Sequence, residues 1–167
     1  MGLRSELRSL YSGKAGGTNG LIVVCPAQAA PLNVFHPIFT ITGGTVLITS
    51  LVGYRTVVQA GGASNADLQT DPTIGAAVSL CAVLAVTGDL AGIIYTITGN
   101  ATDAMQSGRA VFGGMAGGLL ATGINMHGWL CAAGTIDWRE SAAAGTGPVE
   151  WYLSYVPINP AAYVTPI

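Results

Sequence analysis

Few residues in this 167-residue chain have the type and spacing to do chemistry. His36 and His127 are the only histidines. Neither stands in an H-E-x-x-H pattern, and neither has a carboxylate three or four residues away to share a metal on one helix face. Cys25, Cys81 and Cys131 lie far apart, with no C-x-x-C and no Cys/His spacing suited to zinc. Each sits in an apolar stretch, so buried free thiols of a chain made in a reducing cytosol are expected. No G-x-S-x-G elbow would activate a serine, and no glycine run leads into the Gly-Lys-Ser/Thr of a phosphate loop. Among the acids, Asp67 with Asp71 and Asp137 with Glu140 are the nearest pairs. A glycosidase needs two such groups across a cleft, whereas Asp71-Pro72 and Gly88-Asp89 read as turns. Asn100-Ala-Thr102 matches a glycosylation sequon by pattern alone. The expectation is a protein that is not an enzyme, with no catalytic, cofactor-binding or metal-binding residues.

Composition narrows the classes further. Charged residues are 8% of the chain, against roughly 25% in an ordinary soluble domain. Hydrophobic residues make up 50%, glycine accounts for 24 positions, and mean hydropathy is +0.54. These values exclude a disordered polyelectrolyte, a coiled coil and a basic nucleic-acid binder. Net charge is −2, but it is unevenly placed. Arg4, Arg8 and Lys14, against Glu6 alone, make a slightly basic arm ahead of a slightly acidic body. No apolar run follows those cations as in a secretory signal, and Glu6 breaks the myristoylation pattern.

The uncharged stretch Ala110 to Ile136 exceeds the roughly 20 residues of a membrane helix, and its glycines include G-x-x-x-G spacings. It also holds seven glycines with Asn125 and His127, and lacks flanking Lys/Arg asymmetry. The uncharged span from Lys14 to Arg55 carries three prolines and is no single helix. Low charge is thus a property of the whole chain, and no membrane partner is expected. A free monomer of this composition would expose large apolar patches, so neighbours are expected to cover it.

The elements read mainly as β. Leu3, Leu7, Leu10 and Tyr11 share one face of a short helix over 3–11, and the glycines after it end that pattern. With Arg4 and Arg8 they form a candidate docking arm, residues 1–20, ahead of a β-rich domain, residues 21–167. Leu21 to Cys25, Ile38 to Thr42, Thr45 to Val52, Tyr54 to Gln59 and Ala66 to Thr70 are strand candidates, with a hairpin or sharp bend at Gly43-Gly44. The recurrent Ile/Val-Thr-Gly at Ile41, Val86 and Ile97 predicts Val78–Val86 and Gly92–Thr98 as adjacent antiparallel strands. Thr135 to Glu140 and Val149 to Tyr155 read as a hairpin, with Val149, Trp151, Leu153 and Tyr155 on the buried face. The fold expected is all-β, an antiparallel β-sandwich or jelly-roll-like domain with a short N-terminal arm. Trp138, Trp151 and Tyr155 are candidate interface aromatics, with core packing and a glycan-stacking platform as the other readings.

The order Gly43-Gly-Thr-Val-Leu-Ile-Thr-Ser-Leu-Val-Gly53, Asp71-Pro-Thr-Ile-Gly75, Leu84 to Gly92, Gly134-Thr-Ile-Asp-Trp138 and Gly147 to Pro157 resembles a family of small virion structural proteins of tailed bacteriophages. The likeness covers roughly residues 34–164 and rests on pattern and order. It implies a capsid decoration (cement) protein on the virion surface, made in the host cytoplasm. Its partners would be the major capsid protein and itself, as a homotrimer, with no nucleic acid. The Gly/Met-rich segment 108–128 and the arm depart from the family pattern. A tail or fibre component and a small membrane protein are the alternatives.

Overall fold

The structure, a computed structural model, describes residues 20–29, 33–59, 62–111, 114–116, 128–141 and 147–167. Every regular element among them is a strand. In chain order these are β1 (Leu21–Gln28), β2 (His36–Thr42), β3 (Val46–Arg55), β4 (Asn65–Pro72), β5 (Val78–Ser79), β6 (Leu84–Ala85) and β7 (Ile93–Thr96). They continue as β8 (Gln106–Val111), β9 (Gly114–Ala116), β10 (Trp129–Cys131), β11 (Gly134–Glu140), β12 (Val149–Pro157) and β13 (Tyr163–Pro166).

The strands form two antiparallel sheets packed as a sandwich, which bears out the all-β expectation. The first sheet runs β1-β12-β3-β7-β8-β9, with β10 beside one end of β3. The second runs β13-β2-β11-β4-β5, with β6 also on β4. The chain repeatedly crosses between them: β1, β3 and β12 lie in the first sheet, and β2, β4, β11 and β13 in the second.

That alternation corrects two expectations. β11 and β12 are not a hairpin; β11 pairs with β2 and β4, and β12 with β1 and β3. Residues 78–86 hold only the short β5 and β6 on the second sheet, whereas β7 pairs with β3 and β8 in the first. The cause is common to both. A strand that turns back beside itself and a strand that arches over to the facing sheet show the same period-2 pattern, since either way one face is buried. The Gly43-Gly44 step between β2 and β3 is such an arch. Both glycines have positive φ, 77° and 134°, a region that side-chain-bearing residues avoid.

β3 is one strand where the sequence suggests two. Its partner register slips between Ser154↔Ser50 and Tyr155↔Ile48, leaving Thr49 as an extra residue. This bulge shifts the alternation by one position. Val46 and Ile48 point inward before it, and Leu51, Gly53 and Arg55 after it.

The core is built around tryptophan. Across the inner face of the first sheet, Cys25, Trp151, Gly53 and Tyr95 stand side by side on β1, β12, β3 and β7. Trp151 leans over Gly53, and Trp138 from β11 meets it edge-on at 5.1 Å between ring centroids. Tyr95 lies 6.3 Å from Trp138 on its other side. Gly53 therefore supplies the space in which rings from both sheets meet. A Cβ at that position would stand 2.8 Å from the Trp151 ring. Gly53→Ala is expected to cost about 1–3 kcal/mol of stability through overpacking. Urea unfolding checks this, and an unchanged midpoint would show that the rings shift freely.

Candidate functional site

Strand phase decides which charges enter the sandwich. After the Thr49 bulge, Arg55 falls on the inner face at the end of β3, and Glu140 does the same at the end of β11 in the facing sheet. The two meet at 2.6 Å, Arg55 Nη2 to Glu140 Oε1, with both residues buried. The rest of the guanidinium is also engaged. Nε donates to the Tyr95 hydroxyl at 2.7 Å and Nη1 to the Gly147 carbonyl at 2.8 Å. Tyr95 passes its own proton donor to Asp89 Oδ2 at 2.7 Å. The outcome is a continuous relay of alternating charge and dipole: Glu140, Arg55, Tyr95, Asp89.

Burial works against the charge on Arg55, but Tyr95 and Glu140 outweigh it and hold the guanidinium above its ordinary value. Burial first, and then the bond to Asp89, push the Tyr95 phenol well above the usual tyrosine range. Glu140 Oε2 has no hydrogen-bond partner among the described residues. A reacting group needs access to substrate, and Arg55 and Glu140 are closed to solvent. The cluster is a pin between the sheets.

The other candidate residues are dispersed. His36 Nε2 lies 2.7 Å from Gln28 Oε1, and the Gln28 amide in turn donates to the Ile167 carbonyl, tying β1 to the chain's last strand. His127 lies outside the described residues. Asp67 accepts two bonds from Arg139, at 2.9 and 2.6 Å, and the Arg139 guanidinium lies 4.4 Å from the centroid of the Phe35 ring. Asp137 accepts from Gln69, and Asp103 from Thr98 and Asn100 in a turn. No group of three or more His, Cys, Asp or Glu among the described residues would hold a metal. No helix among them is long and apolar enough to cross a membrane.

Trp138, Trp151 and Tyr155, the candidate interface aromatics, are 0%, 1% and 4% exposed. They fill the space between the sheets, which is the core reading that stood beside the interface one. Their alternation along β11 and β12 marks a buried face without saying what buries it. The docking-arm residues Leu3, Arg4, Leu7, Arg8, Leu10 and Tyr11 lie outside the described residues. Cys25, Cys81 and Cys131 are free and buried, as the apolar context of each implies.

The feature that sequence reasoning missed is the outer face of the first sheet. Ile22 and Val24 of β1, Tyr54 of β3, Leu130 of β10, and Tyr152 and Val156 of β12 all stand exposed there. The register places Val24 beside Tyr152 and Tyr152 beside Val52; Leu130 and Val156 flank Leu47 on either side. One carboxylate, Glu150, lies among them and accepts from the Tyr152 hydroxyl at 2.8 Å. The outer face thus carries two apolar rows, with Ser154 and Ser50 between them. The sequence signal was present in Leu21-Ile-Val-Val, an unbroken apolar run in an edge strand.

No family model matches this sequence, and neither a curated protein nor a solved structure matches it. Its chemistry must be read from its own geometry.

Two predictions follow from the interior. Arg55→Met leaves the Glu140 carboxylate buried without its partner, for an expected loss of about 3–5 kcal/mol. Adding Glu140→Leu should restore most of it, since a buried pair is replaceable by apolar groups of similar volume. Denaturant unfolding of the single and double variants measures the coupling, and a mild single variant would show that the pin carries little.

The second concerns alkaline pH. Burial pushes the Cys81 and Cys131 thiols up from 9.0 to about 11 and about 12, and Cys25 moves the same way. Below about pH 9 folded and unfolded chains both keep these protons, and above it the unfolded chain ionises first. Stability is therefore full below about pH 9 and falls as pH rises through the thiol values, with Tyr95 adding to the loss from about pH 10. Unfolding free energies measured from about pH 8 to about pH 11 test the slope, which Cys131→Val should flatten. A pH-independent profile would contradict it.

Proposed function

We propose that this chain is a non-enzymatic structural subunit of a bacteriophage virion, a capsid decoration (cement) protein. It binds as an oligomer, a homotrimer, over junctions of the major capsid protein and stabilises the shell. One observation carries the reading. Arg55 and Arg139, the body cations whose side chains are described, are both engaged in ion pairs within the chain, while a sheet face of exposed aliphatic and aromatic side chains is left open. Such a surface favours association with neighbours over life as a free monomer.

The sandwich also suits the role physically. Its sheets are joined by packed rings and a buried ion pair, so it transmits load between the surfaces it contacts. Several copies docking together reinforce weak contacts through high effective concentration. That lets a small protein tie capsomers against internal pressure without any single strong site. The basic, apolar stripe at Leu3, Arg4, Leu7, Arg8, Leu10 and Tyr11 is the proposed arm that clamps a neighbouring subunit or the shell.

The test is addition of purified protein to particles that lack it, with labelled electron microscopy to locate it. Bound label over capsomer junctions and a raised temperature of shell rupture are expected. A chain lacking residues 1–14 should remain folded and oligomeric but fail to bind. Label confined to the tail would assign the protein there instead, and full occupancy by the shortened chain would remove the arm from the account.

A further inference from the structure

We infer that the outer face of the first sheet is the surface through which copies of this chain contact one another. The inference rests on the self-association proposed above and adds where it occurs.

The face supplies a large part of the area an interface needs. Its four strand positions, β1, β12, β3 and the β10/β7 flank, lie about 4.8 Å apart and run about 30 Å, for a planar footprint on the order of 500 Å², against roughly 800 Å² per partner in a specific protein interface. Scattered apolar residues on a monomer need no explanation, but here Val24, Tyr152 and Val52 form one row and Val156, Leu47 and Leu130 another, with Ile22 on the Ser154–Ser50 row between them, and apolar rows this close together favour association. Ile22 and Leu130, 64% and 68% exposed, stand on its two flanks with Tyr152 and Val156 between them.

Its charge content selects the occupant. Glu150 is the one ionisable acid or base among the described outward positions of β1, β3, β10 and β12, and it is already engaged by Tyr152. An acidic or basic partner would find almost nothing to pair with. A second copy presents the same neutral, aliphatic and tyrosine-bearing surface, so apolar area meets apolar area with little charge left buried; such a face-to-face contact is two-fold and pairs copies, with further contacts needed to build a larger oligomer. Tyrosine provides contact area at low conformational cost, with a polar tip that stays hydrated at the rim.

The alternative route to self-association is pairing of sheet edges, and the free edge of β1 is ill-suited to it. Pro26 removes a donor there, and the register shifts between Cys25 and Gln28. Both features disfavour strand addition at an edge. Association through the face leaves that edge undisturbed.

The experiment compares the full-length protein with Ile22→Lys/Leu130→Lys, and with Ile74→Lys as a control on the exposed turn after β4. Light scattering after size-exclusion chromatography, without detergent, gives the mass of each. The parent and the Ile74→Lys control should both run as multiples of 16.9 kDa. The face variant should run as a folded monomer, with dissociation at least about 100-fold easier. Circular dichroism checks that it folds, and Ile22→Thr/Leu130→Thr, which keeps strand propensity, serves if the lysines prevent folding. An oligomeric parent with unchanged face variants would overturn this inference and leave self-association standing. A monomeric parent at high concentration would overturn both.

Discussion

Scarcity of charge is the constraint from which the rest of this structure follows. The chain has six cations, three of them within its first 14 residues. Of those in the body, Arg55 is enclosed between the sheets with Glu140, and Arg139 is held by Asp67. Little ionic character remains to make the outside of the sandwich repel other proteins. An ordinary domain places its charges outward and keeps its sheets apolar on one side only. Here the most deeply placed charge serves the interior, and Glu150 is the one carboxylate among the described outward positions of β1, β3, β10 and β12.

Enclosing Arg55 is tolerable only because each nitrogen of its fork meets an acceptor. Glu140, Tyr95 and Gly147 take one bond from each of its nitrogens, and Tyr95 hands the polarity on to Asp89. The neighbouring inward layer is the ring cluster of Trp138, Trp151 and Tyr95 around Gly53. Tyr95 belongs to both, with its ring against Trp138 and its hydroxyl on Arg55. The large ring area buried in this layer supplies the apolar stabilisation against which the cost of desolvating the ion pair is set. The pair in turn fixes how the sheets are aligned, because Arg55 and Glu140 meet only when β3 and β11 keep their registers.

How much of this was legible in the sequence depended on range. The period-2 pattern of Val149 to Tyr155 gave the buried face of β12 correctly, and the apolar surroundings of the three cysteines indicated buried thiols. Strand partners were not legible. Gly43-Gly44 carries an arch to the opposite sheet, β11 and β12 likewise lie in different sheets, and a local pattern does not distinguish this from hairpins. The continuity of β3 was hidden by Gly53, which reads as a break between the two apolar runs but stays in register opposite Trp151. Nothing local marked Arg55 as buried, because its inward aim depends on the bulge at Thr49. The tryptophans were recognisable as large buried surface, but whether another sheet or another subunit covered them was a long-range fact.

Read functionally, the molecule is a firm block with an interior that uses its own ions and an exterior that remains incompletely covered. The most direct measurement of that claim is sedimentation equilibrium of the full chain in detergent-free buffer over a wide concentration range. The account predicts a mass that climbs with concentration from 16.9 kDa to a defined small multiple and then holds steady. A single 16.9 kDa species that stays dissolved and unassociated throughout would contradict it.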